Sequence, residues 1–351
     1  MTAFKEIELK LKAAGAAWEP EAAYFSAHPQ FALTFEQSLD FEASYYDTKD
    51  GNLGQKGITF RVRREGERWI ATVKNPGTSA HGLHTRNEWS VEVQGSTPDL
   101  HCFSEMDIGP SLVESVGAEE LRLLFKTRFE RLTMLLESKE GNIIELAVDR
   151  GEIIAGDRRE PIQEIELELK KGKPVAVIAL GAELAACYPL LPERKTKFAR
   201  GLALAGLKKP VKPVKEKTES ADASEGKGSQ DPGAALSAGF AAVFSALEAY
   251  INQTDDEGKL LYLYQKIKNI QGQVAVIETE TGEESGYMAE AKAMWRQLEA
   301  EITYLLIPGL AANKREQIIQ NFSGGQYTSF MLGFWAWIIR WRQEAEAGAA
   351  L

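Results

Sequence analysis

Glu6, Glu8 and Lys10 alternate with Ile7 and Leu9, so in a strand the three charged groups share one face and the two apolar groups the other. A half-exposed edge strand would explain one such face. The pattern recurs too often for that explanation to serve everywhere. Arg61 and Arg63 share a face against Phe60 and Val62, and Lys74 ends the following strand. Arg86, Glu88, Ser90 and Glu92 oppose Trp89, Val91 and Val93. Lys126 lies with Arg128, and Glu145 aligns with Asp149. Near the end of the pattern, Glu164, Glu166 and Glu168 oppose Ile165, Leu167 and Leu169.

Several strands with both signs of charge on one face suit an antiparallel barrel of about eight strands, where inward and outward residues alternate. Helical segments at 21–31, 118–125 and 173–188 are expected to cover an apolar outer wall, which turns the charges inward. Buried charges are strongly disfavoured unless each is paired or meets a ligand. Lys and Arg drawn from several strands would neutralise and orient a polyanion. Clustered Glu and Asp supply hard oxygen ligands for Mg2+ or Mn2+. The chemistry such an interior supports is hydrolysis of a phosphoanhydride, which needs chiefly positioning and charge stabilisation.

The chain has 351 residues, enough for two domains. Residues 208–233 are rich in Lys, Glu, Ser, Gly and Pro and read as a flexible linker. The charged barrel is expected over 1–207, and helical spacing over 234–351 reads as a small all-α bundle of about five helices. The fold class is therefore α+β. A formal charge of -10 excludes a broad nucleic-acid footprint. Cys102 and Cys187 form no metal-ligand spacing, and reduced thiols suit a cytoplasmic protein. The first residues carry no apolar signal core, and no run of eighteen apolar residues predicts a membrane span. Phe330, Phe334, Trp337 and Trp341 recur at helical spacing near the C-terminus. They predict a buried central helix, with self-association through an aromatic surface as the alternative.

Taken in order, EIELK, YYDT, FRVR, TVK, RNE, KTRF, IELAVDRG, EIELELKKG and KTKFARG resemble the motif set of the CYTH superfamily, the triphosphate tunnel metalloenzymes, over residues 1–206. The resemblance implies an eight-stranded antiparallel β-barrel tunnel. It also implies hydrolysis of inorganic triphosphate to diphosphate and phosphate with Mg2+ or Mn2+. The alternatives are a hydrolase or cyclase acting on thiamine triphosphate, a nucleoside triphosphate or ATP, and a non-catalytic polyphosphate-binding module. The implied phosphate contacts are Lys10, Arg61, Arg63, Lys74, Arg86, Lys126, Arg128 and Lys197. The implied metal and water-activating acids are Glu6, Glu8, Asp149, Glu164 and Glu166, with Glu168 extending the row. Of these, Glu6, Glu8, Lys10, Glu164 and Glu166 would touch the reacting groups. Glu88 matches a further tunnel acid, and Arg131 and Arg200 are supporting candidates. Ser90 stands where many members carry a second acid. The helical region resembles a short CHAD-like domain, but His28, His81, His84 and His101 all precede the linker, so polyphosphate binding is not carried over to it.

Overall fold

The computed structural model describes residues 3–13, 22–207, 232–252, 257–281, 286–307, 312–322 and 324–349. Most of the expected linker therefore lies outside the described residues. The strands are β1 (Phe4–Ala13), β2 (Phe31–Asp47), β3 (Thr59–Glu65), β4 (Arg68–Lys74), β5 (Thr78–Ala80), β6 (Leu83–Val93), β7 (Arg122–Ser138), β8 (Ile143–Ala155), β9 (Arg158–Lys171) and β10 (Leu190–Pro192). Their order is β10-β1-β9-β8-β7-β2-β3-β4-β6-β5, and β1 also pairs with β6. That last pairing closes eight of the ten strands into an antiparallel barrel, as expected.

The helices are α1 (Ala22–Ser26), α2 (Asn52–Gln55), α3 (Gly109–Val116), α4 (Pro174–Cys187), α5 (Lys197–Leu204), α6 (Pro232–Asn252), α7 (Glu257–Thr281), α8 (Gly286–Leu305), α9 (Ala312–Phe322) and α10 (Gly325–Ala349). On the outer wall of β3, β4 and β6, the side chains Phe60, Val62, Ala71, Val73 and Trp89 pack with Leu53, Phe103, Ile108 and Leu112 of the covering segments. Alternation thus works as read: the apolar set turns outward under helices while the charged set turns inward. One expected helix is not formed. The sequence pattern of residues 118–125 suits a helix, but from Arg122 onward they join β7, where Phe125 stacks on Tyr45 of β2 at 4.6 Å. Cross-strand packing there outweighs the local helical preference.

Residues 3–13, 22–177 and 192–207 form one compact unit, and 178–191 with 232–349 form the other. Most of α4 therefore groups with the helices of the second unit. Within that unit, a Cβ on Gly325 would lie 2.2 Å from the Ala185 carbonyl oxygen, so only glycine permits this approach. α6 to α10 bury a common core that includes Phe240, Tyr250, Ile267, Trp295, Phe322 and Phe334. The aromatic run of α10 faces this core, as the helical spacing predicts. Among the described residues, the helix Pro232–Ile251 is long and apolar enough by length and composition to cross a membrane. Its Leu236, Phe240, Val243, Phe244 and Leu247 are buried in the bundle core.

One end of the barrel is closed. Phe41, Tyr45, Phe125, Phe129, Ile153 and Ile162 form a buried cluster with Leu202 of α5, and Phe198 packs against it. A Cβ on Gly201 would meet the Phe125 ring at 2.1 Å, so glycine lets the α5 backbone seat directly on the plug. Gly201→Ala should lower the stability of the barrel by about 1–3 kcal/mol through overpacking, read as a lower urea midpoint.

Candidate active site

The barrel places its inward-facing charges around a cavity of about 620 Å3. Glu6 and Glu8 reach it from β1. There Arg86 donates from Nε to Glu6 and from a terminal nitrogen to Glu8, each at 2.7 Å. Lys74 of β4 donates to Glu6 and pairs with Glu88, both at 2.6 Å. Ser90, on the face of Glu88, donates to it at 2.8 Å in place of supplying a second acid. Burial alone would raise the Glu6 carboxyl, but Lys74 and Arg86 hold it far below the usual carboxylate range. The same contest holds Glu88 down at about 2, again chiefly through Lys74.

A second cluster lies deeper. Lys10 bonds Glu8 at 3.0 Å and also Glu166. Lys197, entering from α5, donates to Asp149 at 2.5 Å, to Glu166 at 3.0 Å and to Glu164. Arg131 of β7 grips Asp149 with two bonds of 2.6 and 2.7 Å and reaches Glu166 at 2.5 Å. Arg200 holds the other oxygen of Glu164 at 2.9 Å. Burial opposes the charge on Lys197, yet Asp149, Glu164 and Glu166 keep its ammonium well above the ordinary lysine range. Burial likewise opposes Glu166, and Lys10, Lys197 and Arg131 overcome it. For Glu164 burial wins, and its carboxyl is raised despite Lys197.

Arg61 and Arg63 differ from these paired groups. Each has a buried Nε with no hydrogen-bond partner. Arg61 lies near the Tyr45 hydroxyl, and Arg63 pairs with Glu65 and lies 4.8 Å over the Phe41 ring. Burial and the neighbouring Arg61 pull the Arg63 guanidinium down to about 10. Two partly buried cations with spare donors fit an anion. The acids in turn fit a hard dication. Carboxylate oxygens of Asp149, Glu164 and Glu166 lie within 4.8 Å of one another, although Lys197 neutralises them in this structure. Glu168 lies opposite Glu8 across the β1–β9 pair. Burial raises Glu168 to about 7, Lys170 opposes this, and Glu6 and Glu145 add to it. An all-oxygen donor set of clustered carboxylates suits a hard cation such as Mg2+ or Mn2+.

Residues 5–202 match the CYTH domain family, more than half of the chain. The chain belongs to the CYTH family. An inorganic triphosphatase of Haemophilus influenzae is 32% identical over 169 residues, covering 48% of this CYTH chain and 46% of that protein. The chain thus spans about half the length of the curated relative it matches. Similar solved structures include a Hippeastrum protein described as a putative adenylyl cyclase that reveals a dominant triphosphatase activity. It has a TM-score of 0.41 and 18% identity, covering 60% of this chain and 99% of that one. A Pyrococcus horikoshii protein has a TM-score of 0.35 and 20% identity, covering 56% and 98% respectively.

Most of the residues read from the CYTH motifs converge. Glu6, Glu8, Lys10, Arg61, Arg63, Lys74, Arg86, Glu88, Glu166, Glu168 and Lys197 all line the cavity. Asp149 and Glu164 lie fully buried behind Lys197. Asp149 is a strand residue in the β8 ladder, although its Asp-Arg-Gly context also suits a turn. Lys126 and Arg128 do not converge. Their side chains are 44% and 66% exposed, each 3.9 Å from Glu42 on the outside of the barrel. Thr127, Phe129 and Arg131 take the inward positions of β7 instead, so the β7 cation in the cavity is Arg131.

Two histidines flank this wall. His84, whose ring lies 3.2 Å from the Glu193 carbonyl oxygen, is pushed down to about 4 by burial and by Lys10. Burial and Arg194 push His81 down to about 3. Both stay neutral in the fold but protonate in the unfolded chain near pH 6.5. Their contribution to stability is complete above that pH and is lost as pH falls toward the folded values. At pH 5 the loss should be roughly 2 kcal/mol for each. Urea midpoints at pH 7 and pH 5 should show the drop, and His84→Gln should remove about half of it.

Proposed function

We propose that the cavity binds linear inorganic triphosphate and hydrolyses it to diphosphate and phosphate with a divalent cation. The observation that carries this reading is the pair of partly buried guanidiniums, Arg61 and Arg63, whose buried Nε atoms have no hydrogen-bond partner. A polyanion supplies what those donors lack, while the other cations already have acids. The Haemophilus influenzae relative bears the name of this activity, which supports the choice of substrate.

Glu6, Glu8 and Glu168 would hold the cation, with Asp149, Glu164 and Glu166 as the deeper acidic set. When bound, Mg2+ or Mn2+ withdraws charge from phosphoryl oxygens and lowers the pKa of a water. Arg61 and Arg63 would bind and orient the phosphate chain. Lys74 and Arg86 hold Glu6 ionised, and Lys10 is poised between Glu8 and Glu166. Cross-strand bonds hold these groups close to one another on the barrel's inner face. A second reading has support of its own: Phe4 and Phe35, which line the cavity, are half-exposed rings on which an organic group would stack. That reading makes an organic triphosphate the substrate.

Phosphate release from tripolyphosphate, thiamine triphosphate and ATP, with and without Mg2+, separates these readings. The expected result is metal-dependent release that is fastest from tripolyphosphate. Arg63→Gln should reduce kcat/KM about 10- to 100-fold by removing a charge-assisted contact, whereas Arg128→Gln on the outer wall should change it less than about twofold. Glu6→Gln should lose mainly turnover and metal dependence, and Lys10→Ala mainly substrate affinity. Equal losses in the Arg63 and Arg128 variants would remove the cavity from the reaction.

A further inference from the structure

One row of residues crosses three strands of the wall. Arg61 of β3 lies opposite Thr72 of β4, and Thr72 lies opposite Ser90 of β6. In the next row Lys74 of β4 lies opposite Glu88 of β6. All five side chains line the cavity. Only two short side chains, Thr72 and Ser90, therefore share the row with the Arg61 guanidinium.

Their hydroxyls form a directed chain. Ser90 Oγ donates to Glu88 Oε1 at 2.8 Å, and Thr72 Oγ1 lies 3.1 Å from Ser90 Oγ. A hydroxyl carries one proton, and an ionised carboxylate only accepts. The Ser90 proton is thus directed at Glu88, and Thr72 donates to Ser90. Thr72 is itself 1% exposed, so the chain starts from a fixed, buried hydroxyl. The second carboxylate oxygen of Glu88, Oε2, meets Lys74 at 2.6 Å. Each oxygen of Glu88 is therefore held by a partner on β4 or β6.

Arg61 is the group this arrangement spares. After Lys74, it exerts the strongest attraction on the Glu88 carboxylate. Glu88 nonetheless pairs with Lys74 and not with Arg61 among the described residues, and the Arg61 Nε has no hydrogen-bond partner. Carboxylate and guanidinium form strong, often bidentate pairs when both are free to meet. A Glu88 oxygen released from Ser90 would turn toward Arg61 and occupy donors that a phosphate would otherwise use.

We infer that Ser90 is a positioning residue: backed by Thr72, it tethers Glu88 beside Lys74 and so keeps the Arg61 guanidinium open to the phosphate chain. This role rests on the triphosphatase reading and adds to it a side chain that acts through Glu88.

A double-mutant cycle tests it, read by calorimetric titration of the full chain with tripolyphosphate in chelator, so that no turnover intervenes. Ser90→Ala should weaken binding about 10-fold, because Glu88 then competes for Arg61. Ser90→Thr keeps the hydroxyl and should stay within about twofold of the unaltered protein. In a Glu88→Gln background no carboxylate is left to compete, and Ser90→Ala should change binding less than about twofold. Undiminished affinity in Ser90→Ala would overturn the inference. So would an equal loss in both backgrounds, which would make Ser90 a direct substrate contact or a general support of the wall. If the unaltered protein binds tripolyphosphate and the cycle shows no coupling, this role falls alone. If it does not bind tripolyphosphate, the triphosphatase reading falls and takes this role with it.

Discussion

The structure depends on one constraint: ionised groups placed inside a barrel must neutralise one another or the barrel does not form. Lys197 shows how far this goes, with one ammonium meeting Asp149, Glu164 and Glu166. Those acids come from β8 and β9, so the ammonium on α5 also ties a helix to two strands. Removing one partner of such a network typically costs about 3–5 kcal/mol because the other charge stays buried and unpaired. The network is thus a poor source of net stability but a strong selector of one register. A one-residue slip of β9 would turn Glu164 and Glu166 outward and leave Lys197 with Asp149 alone.

Around the charges the protein uses aromatic rings as a second kind of partner. Phe41 and Phe129 stack at 5.4 Å, and Arg63, Arg131 and Lys197 lie over their faces at 4.8 to 5.6 Å. Ring quadrupoles attract the cations without neutralising them. The same rings belong to the apolar cluster that closes the base. One pair of side chains therefore both supports the cationic wall and joins the plug, which couples the α5 seat to the geometry of the site.

Alternation carried the reading of the site a long way. Glu6, Glu8 and Lys10 are each under 5% exposed, so the first strand is no wetted edge, and the acids of β9 answer them across the sheet. β7 is where the reading failed. Its even positions carry Lys126 and Arg128, and its odd positions carry Arg131, so cations occur on both faces. Period two states that the faces differ without stating which turns inward. Pairing decides it: Thr127, Phe129 and Arg131 lie opposite Ala43, Phe41 and Leu39 of β2, on the face that closes over the cavity. Residues 118–125 failed for a related reason, since a Leu-rich stretch suits either element until Phe125 finds Tyr45.

By itself the sequence determined the barrel class and the residue types available for anion and cation binding. These follow from local periodicity and composition, which the backbone expresses wherever a strand or helix forms. Only the tertiary structure decided that Arg131 rather than Lys126 and Arg128 faces the cavity, that Arg61 and Arg63 keep spare donors, and that one end is sealed. Each of those depends on groups far apart in the chain meeting at one register, and no local pattern encodes the meeting.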